Sequence, residues 1–316
     1  MAHPLQQKLE STLNVSRQFI FGQDDLLEGI LAALVCQGHL LIEGMPGLGK
    51  TLSVSVMSRL CDLDFNRVQF TPDLLPSDLI GTMVFNQNKN EFTTKFGPIF
   101  TQILLADEIN RSPAKVQAAL LEAMAERQVT IGETTHSLKQ PFVVLATQNP
   151  IEQEGTYQLP EAQLDRFMMK IYVDYPEFDQ EKSVLELQMS TLKDIQAQMD
   201  QASLQEISKA VNEIYVDEKI KDLIIRMTHS TRPGNALFHK QYQGVISSGA
   251  SPRASLWLYQ LGKFKAFMNG EDHVKPEHLL SVAQSVLGHR IILSYEALID
   301  GVSAQNVAYE IAKKCL

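Results

Sequence analysis

The sequence predicts an α/β domain built on a five-stranded parallel sheet, followed by a smaller all-helical domain, and three observations carry that reading. Short β-rich apolar runs alternate with helical periodicities across residues 1–175, the pattern of βαβ units whose helices cover both faces of a sheet. After Asp174, Tyr175 and Pro176 the alternation stops, and long amphipathic stretches fill residues 176–316. A glycine-rich loop follows the first predicted strand, at the strand end where open α/β sheets hold ligands.

Each element follows from local pattern. The predicted strands are His39–Glu43, Arg67–Thr71, Gln102–Asp107, Phe142–Thr147 and Met168–Val173. Asp24–Val35 and Leu52–Leu60 read as helices, and Val116, Leu120, Leu121 and Met124 recur at helical spacing, which turns one face of that segment onto the sheet. Two segments exceed a minimal βαβ plan. Leu79–Phe100, with GTMVF, NQNKN and EFTTKFGPIF in succession, predicts a β-hairpin, and Gln128–Lys139 predicts a second one around a glycine turn. Insertions of this kind are candidate working loops or plain structural decoration. In the helical half, breaks fall at Arg232–Gly234 and Ser247–Pro252, while Ile207, Val211, Ile214, Leu256, Leu258 and Leu261 are predicted core. His289 and Arg290 read as surface residues.

Composition bounds the function. At 316 residues, 44% hydrophobic and 21% charged, the chain is an ordinary globular one, which excludes collagen and a disordered scaffold. Its apolar runs, such as Ile30–Cys36, fall short of the roughly 18 to 20 residues that cross a bilayer. The opening MAHPLQQKLESTLN lacks the basic start and apolar stretch of a secretory signal, so the expected compartment is the cytoplasm. Cys36, Cys61 and Cys315 stand at long spacings and read as reduced thiols rather than a disulfide or zinc framework. Net charge is −9, with 13 basic against 20 acidic residues in 1–175 and 15 against 17 in 176–316. Neither half carries the basic excess of a duplex-binding module, so nucleic acid is not the expected partner.

The strongest motif is Gly44-Met45-Pro46-Gly47-Leu48-Gly49-Lys50-Thr51, which matches G-x-x-x-x-G-K-[ST] and stands between the strand HLLIE and the helical run beginning at Leu52. In such a loop the glycines turn successive N–H groups toward phosphate oxygens, and the helix N-terminus adds positive potential. Lys50 then reaches the β/γ-phosphates, and the Thr51 hydroxyl ligates Mg²⁺. The loop therefore predicts a phosphate-bearing nucleotide with Mg²⁺. A second apolar strand ends in Asp107-Glu108. Asp107 suits the magnesium shell, and Glu108 suits the general base that polarises the attacking water. A third strand, Phe142–Thr147, ends in Gln148-Asn149-Pro150, which offers the Asn149 amide for the water or the γ-phosphate if the strands are neighbours, though Asn before Pro is also a turn starter.

The strings GMPGLGKT, LLADEINRSPAKVQAALLEAMAERQVTIG, LATQNPIEQEGTYQLPEAQLDRF and SPRASLWLY, spread in order over nearly the whole chain, resemble a MoxR-type AAA+ ATPase. The resemblance implies ATP/ADP with Mg²⁺ as cofactors and a P-loop NTPase αβα sandwich with a helical lid, from the clade with a helix-2 insert, which suits the hairpin at Leu79–Phe100. It also implies the Walker A roles for Lys50 and Thr51, the Walker B roles for Asp107 and Glu108, sensor 1 for Asn149, sensor 2 for Arg253 and the arginine finger for Arg166. Arg111 is a second candidate for an intersubunit arginine. Gly22 and Gln23 match the positions that contact adenine, and they also suit a turn and cap.

The resemblance further implies a ring, most often a hexamer, that remodels or matures a protein client such as a metalloenzyme or complex. A partner carrying a von Willebrand A domain is implied as a separate chain. Three other readings compete: a nucleic-acid motor or transcription regulator, a metal-chelatase motor subunit, and a nucleotide-gated switch without turnover. The first hairpin carries only Lys89 and Lys95 as basic residues, and no helix-turn-helix or zinc appendage follows, which disfavours the nucleic-acid motor. Glu108 disfavours the pure switch, which has no use for a general base.

Overall fold

A computed structural model describes residues 4–88, 90–150, 157, 159–186 and 195–316; Lys89 and, apart from Tyr157, the segment 151–158 lie outside the described residues. The strands are β1 (Leu40–Gly44), β2 (Phe65–Gln69), β3 (Gly81–Asn86), β4 (Glu91–Phe96), β5 (Ile103–Asp107), β6 (Gln128–Ile131), β7 (Thr134–Ser137), β8 (Val143–Gln148), β9 (Met169–Val173), β10 (Ile246–Ser248) and β11 (Ile292–Leu293). Packing divides the chain into two units. One draws on the described residues of Ser11–Arg166 and Ile171–Gln201, the other on those of Met1–Glu10, Phe167–Lys170 and Ala202–Leu316.

The main sheet has the order β2-β5-β8-β1-β9, with parallel pairing of β2 to β5, β5 to β8 and β8 to β1. Every residue of β5 is buried, as an apolar strand covered on both faces must be. The edge strand β2 reads FNRVQ and starts two residues before the expected Arg67, because the polar Asn66 and Arg67 mask its β pattern. The registers set Gln69 opposite Asp107 and Glu43 opposite Gln148. The C-terminal ends of these strands therefore lie level, and they carry the polar residues that the apolar strand bodies lack.

Helix Ala114–Glu126 buries Val116, Leu120, Leu121 and Met124 as its periodicity requires. Both expected hairpins form, β3 with β4 and β6 with β7, the second turning at Gly132 with φ 64°. His39, just before β1, is buried. Its Nδ1 accepts the Val144 N–H at 3.0 Å, which leaves Nε2 to donate to the Met124 carbonyl at 3.2 Å. Burial pushes its pKa down to about 4.

In the second unit, helices Glu218–His229, Pro252–Met268, Tyr295–Ile299 and Ala304–Cys315 each begin after an Asp or Ser whose side chain accepts a first-turn N–H, the reason those residue types start helices. The expectation of an all-helical domain needs one addition. β10 and β11 pair antiparallel, and a two-residue strand such as β11 is too short to show a period. Leu258 and Leu261 are buried, but Leu256 is 65% exposed. Two residues along a helix turn it by about 200°, so Leu256 faces away from Leu258.

Arg290 is not a surface residue, and His289 is only partly exposed. Arg290 is 6% exposed, and its guanidinium donates to the carbonyls of Val286 at 2.6 Å, Phe167 at 2.5 Å and Met168 at 3.2 Å. The His289 ring lies between the Ser285 and Phe167 carbonyls. Burial holds its pKa well below the usual histidine value, with the Arg290 charge adding to the effect. All three cysteines are free thiols. Among the described residues no helix is long and apolar enough to cross a membrane.

Candidate functional site

A cavity of about 400 Å³ opens where β1, β2, β5 and β8 end, lined by Pro46–Leu52, Arg67, Gln69, Asp107, Glu108, Thr147, Gln148 and Asn149. Its size is that of a small-molecule site. The loop between β1 and helix Lys50–Leu60 forms one wall. Gly47 and Gly49 adopt φ 84° and 76°, a left-handed backbone that only glycine takes at little cost. Gly44 is needed for a different reason, since a Cβ there would stand 2.6 Å from the Val173 carbonyl. The Lys50 ammonium reaches back to the Gly44 carbonyl at 2.5 Å and the Met45 carbonyl at 3.2 Å. Its pKa is lowered by partial burial, against the opposing pull of Asp107, Glu108 and Glu43.

The facing wall is a side-chain network across three strands. Asp107, at the end of β5, accepts the Thr147 hydroxyl on Oδ1 at 2.6 Å. Its Oδ2 accepts Arg67 Nε at 3.0 Å and Nη2 at 2.6 Å. Thr147 also accepts the backbone N–H of Glu108 at 2.8 Å, so one hydroxyl on β8 fixes both carboxylate residues. Glu108 Oε2 accepts Gln69 Nε2 at 2.6 Å and Arg111 Nη1 at 2.9 Å. The Glu108 backbone is left-handed at φ 56°, a conformation that costs a non-glycine residue roughly 1–2 kcal/mol. Such strain is held only where surroundings over-determine it. Gln117, fully buried, donates to the Ile109, Ser112 and Tyr157 carbonyls and so pins the turn that follows Glu108.

The structure thus brings Pro46, Gly47, Leu48, Gly49, Lys50, Thr51, Leu52, Asp107, Glu108 and Asn149 to one cavity, with Gly44 and Met45 at the base of its loop. Gln23 and Arg166 stand outside that lining. Gln23 is buried and donates to the Asp174 carbonyl at 3.0 Å, and Arg166 donates to the Leu121 carbonyl at 2.6 Å. Arg253 occupies the first turn of helix Pro252–Met268 in the other unit, its N–H held by Ser251. Arg111, the alternative intersubunit arginine, is bound to Glu108 of its own chain. Sequence reasoning missed Arg67, Gln69, Thr147 and Gln117. The available signal was the i, i+2 spacing of Arg67 and Gln69, which puts both on one face of β2.

The donor set suits a small hard cation held together with phosphates. Thr51 and Asp107 offer one hydroxyl and one carboxylate from facing walls, and no group of three or more His, Cys, Asp or Glu forms an all-protein metal cage among the described residues. Magnesium is bound in that way, by one or two carboxylates plus substrate phosphates.

Residues 39–169 match the ATPase family associated with various cellular activities (AAA), and residues 243–311 match the AAA lid domain. The chain is 44% identical over 302 residues to Chaperone MoxR1 of Mycobacterium tuberculosis, a match that covers 95% of this chain and 79% of that protein. It is 41% identical over 314 residues to the uncharacterized protein YeaC of Bacillus subtilis, covering 98% and 93% of the two. The crystal structure of an ATPase candidate from Cytophaga hutchinsonii superimposes with a TM-score of 0.91 at 45% identity, over 98% of this chain and 94% of that one. With an AAA domain, an AAA lid and relatives at this identity along nearly its whole length, the chain belongs to the MoxR family of AAA+ ATPases.

Proposed function

We propose that the chain hydrolyses Mg-ATP as a subunit of a ring, most simply a hexamer, and couples turnover to remodelling or maturing a protein client in the cytoplasm. The observation that supports this best is the meeting, in one cavity, of the Lys50-Thr51 loop with the Asp107-Glu108 strand end. In this reading the loop N–H groups and Lys50 bind the β/γ-phosphates, while Thr51 and Asp107 hold magnesium. When bound, the metal supplies charge neutralisation on the transferring phosphoryl group. Glu108 takes the proton of the attacking water, and Asn149 orients that water or the γ-phosphate. Arg166 is assigned to a neighbouring subunit's phosphate and Arg253 to sensing the nucleotide through the lid. Gln23 is assigned to the adenine side.

A chaperone-like role rests on the name of the Mycobacterium tuberculosis relative and on the first hairpin, where Phe85 and Phe92 are 48% and 65% exposed. Such an apolar tip is suited to engaging protein rather than a phosphate backbone. A von Willebrand A-domain partner would be a separate chain.

The test is ATPase rate per subunit against protein concentration, for wild type and Arg166→Ala, with a trace of Glu108→Gln subunit added. The reading requires a rate that climbs with concentration and that Arg166→Ala loses while still binding ATP. An arginine supplied in trans is worth roughly 10³–10⁵ in rate. A flat rate, indifferent to Arg166→Ala and to the inactive subunit, would overturn the shared-site ring.

A further inference from the structure

We propose that Arg67 is a resident counter-cation on the metal carboxylate, a competitor that divalent metal must displace from Asp107. The inference rests on the Mg-ATP reading of the cavity and adds to it a residue which competes with the metal. Among the described residues, two of the three hydrogen bonds to the Asp107 carboxylate come from the Arg67 guanidinium, both on Oδ2, and the third comes from Thr147 on Oδ1. A carboxylate offers about four acceptor positions, so a metal shell that needs more than the roughly one left over has to displace a donor. The Asp107 carboxylate is 12% exposed while the Arg67 side chain is 48% exposed. The anion is largely buried and the cation stands half in water.

Arg67 also has somewhere to go. Its Nη2 already donates to Gln69 Oε1 at 2.9 Å, and its exposed side faces water, so leaving Asp107 strands no buried donor. A guanidinium keeps its charge at every working pH, which means that its departure is driven by a competing cation and not by deprotonation. Because the Gln69 amide joins Arg67 to Glu108, the same movement reaches the residue assigned as general base. A purely structural arginine would be buried and satisfied by fixed carbonyls, as Arg290 is.

The experiment is a Mn²⁺ titration followed by electron paramagnetic resonance, on the full chain saturated with a non-hydrolysable ATP analogue. Arg67→Met keeps much of the apolar stem and removes the charge. It is expected to bind Mn²⁺ about fivefold more tightly than wild type, the order that a half-exposed ion pair supplies. Arg67→Lys exchanges a forked grip for a single point charge and is expected to fall between the two. Unchanged or weaker Mn²⁺ binding in Arg67→Met overturns the proposal, since a residue that holds Asp107 in its ligating pose would weaken metal binding when lost. Should Arg67→Met fail to fold, Arg67→Lys decides alone, with affinity at or below wild type as the overturning result. Analogue binding by wild type with no gain in Mn²⁺ affinity in the variants defeats only the Arg67 claim. Failure of wild type to bind the analogue at all defeats the nucleotide reading and this inference with it.

Discussion

The cavity of the α/β unit and the Arg290 site of the helical unit satisfy their polar groups in opposite ways. At the cavity of the α/β unit, Asp107 and Glu108 are held by other side chains, Arg67, Thr147, Gln69 and Arg111. In the helical unit the buried Arg290 and Lys263 and the partly buried His289 are met by main-chain carbonyls. A carbonyl in a helix or strand stays where the backbone puts it, and its partner is correspondingly permanent. A side chain at a half-exposed site is able to exchange one partner for another. The first arrangement is architecture, and the second is what a site needs if phosphate, metal and water are to enter and leave.

That contrast predicts where substitutions hurt stability and where they hurt chemistry. Arg290→Leu should have the largest effect on folding, because it takes the guanidinium from the Val286, Met168 and Phe167 carbonyls, of which Phe167 keeps the His289 ring, at roughly 1–3 kcal/mol for each carbonyl left unmet. A loss of about 4 kcal/mol, read from denaturant unfolding, is expected with nucleotide affinity per folded subunit unchanged. A loss under about 1 kcal/mol would mean that the carbonyl clasp is dispensable, and the contrast would fail on its structural side.

Acidification tests a buried histidine of the α/β unit. His39 has its folded pKa near 4 against an ordinary value of about 6.5. Its contribution is therefore complete above about pH 6.5, falls as pH drops toward 4, and amounts to about 3 kcal/mol over that window. His289 shifts in the same direction. Unfolding free energy measured between pH 7 and 5 should decline for wild type, and His39→Gln should flatten part of that slope. An unaltered slope would contradict the buried neutral ring.

The smallest of these effects sharpens the comparison most. Thr147→Val keeps the shape but removes the hydroxyl that binds both Asp107 and the Glu108 N–H. Turnover should fall about tenfold, and stability should change by only about 1 kcal/mol. A stability loss of several kcal/mol with intact turnover would place Thr147 with Arg290, as architecture.

How much of this was legible in the sequence follows from how far apart the partners lie along the chain. Lys50-Thr51 and Asp107-Glu108 are contiguous pairs at strand ends, so motif and periodicity find them without knowing the strand order. Arg67, Gln69 and Thr147 become site residues only because β2, β5 and β8 are neighbours, a fact of topology that their local patterns do not contain. Gln117 looks like one more polar residue on a helix, yet its amide is spent on carbonyls of the turn beside Glu108. The charged pair in LGHRIIL looks solvated, and the Phe167 and Met168 carbonyls that bury Arg290 lie 123 and 122 residues away. Leu256 departs from the expected core for a simpler reason, since it stands about 200° around the helix from the buried Leu258 and faces water.

The most direct measurement is single-turnover hydrolysis of Mg-ATP by wild type and Glu108→Gln, after each has been shown to bind the nucleotide. If the cavity between the Lys50 loop and the β5 end is a hydrolytic site, the two bind alike and Glu108→Gln is slower by roughly 10²–10⁴-fold. Equal rates in the two would contradict the account, because the carboxylate that the network holds in a strained backbone would then have no part in the chemistry.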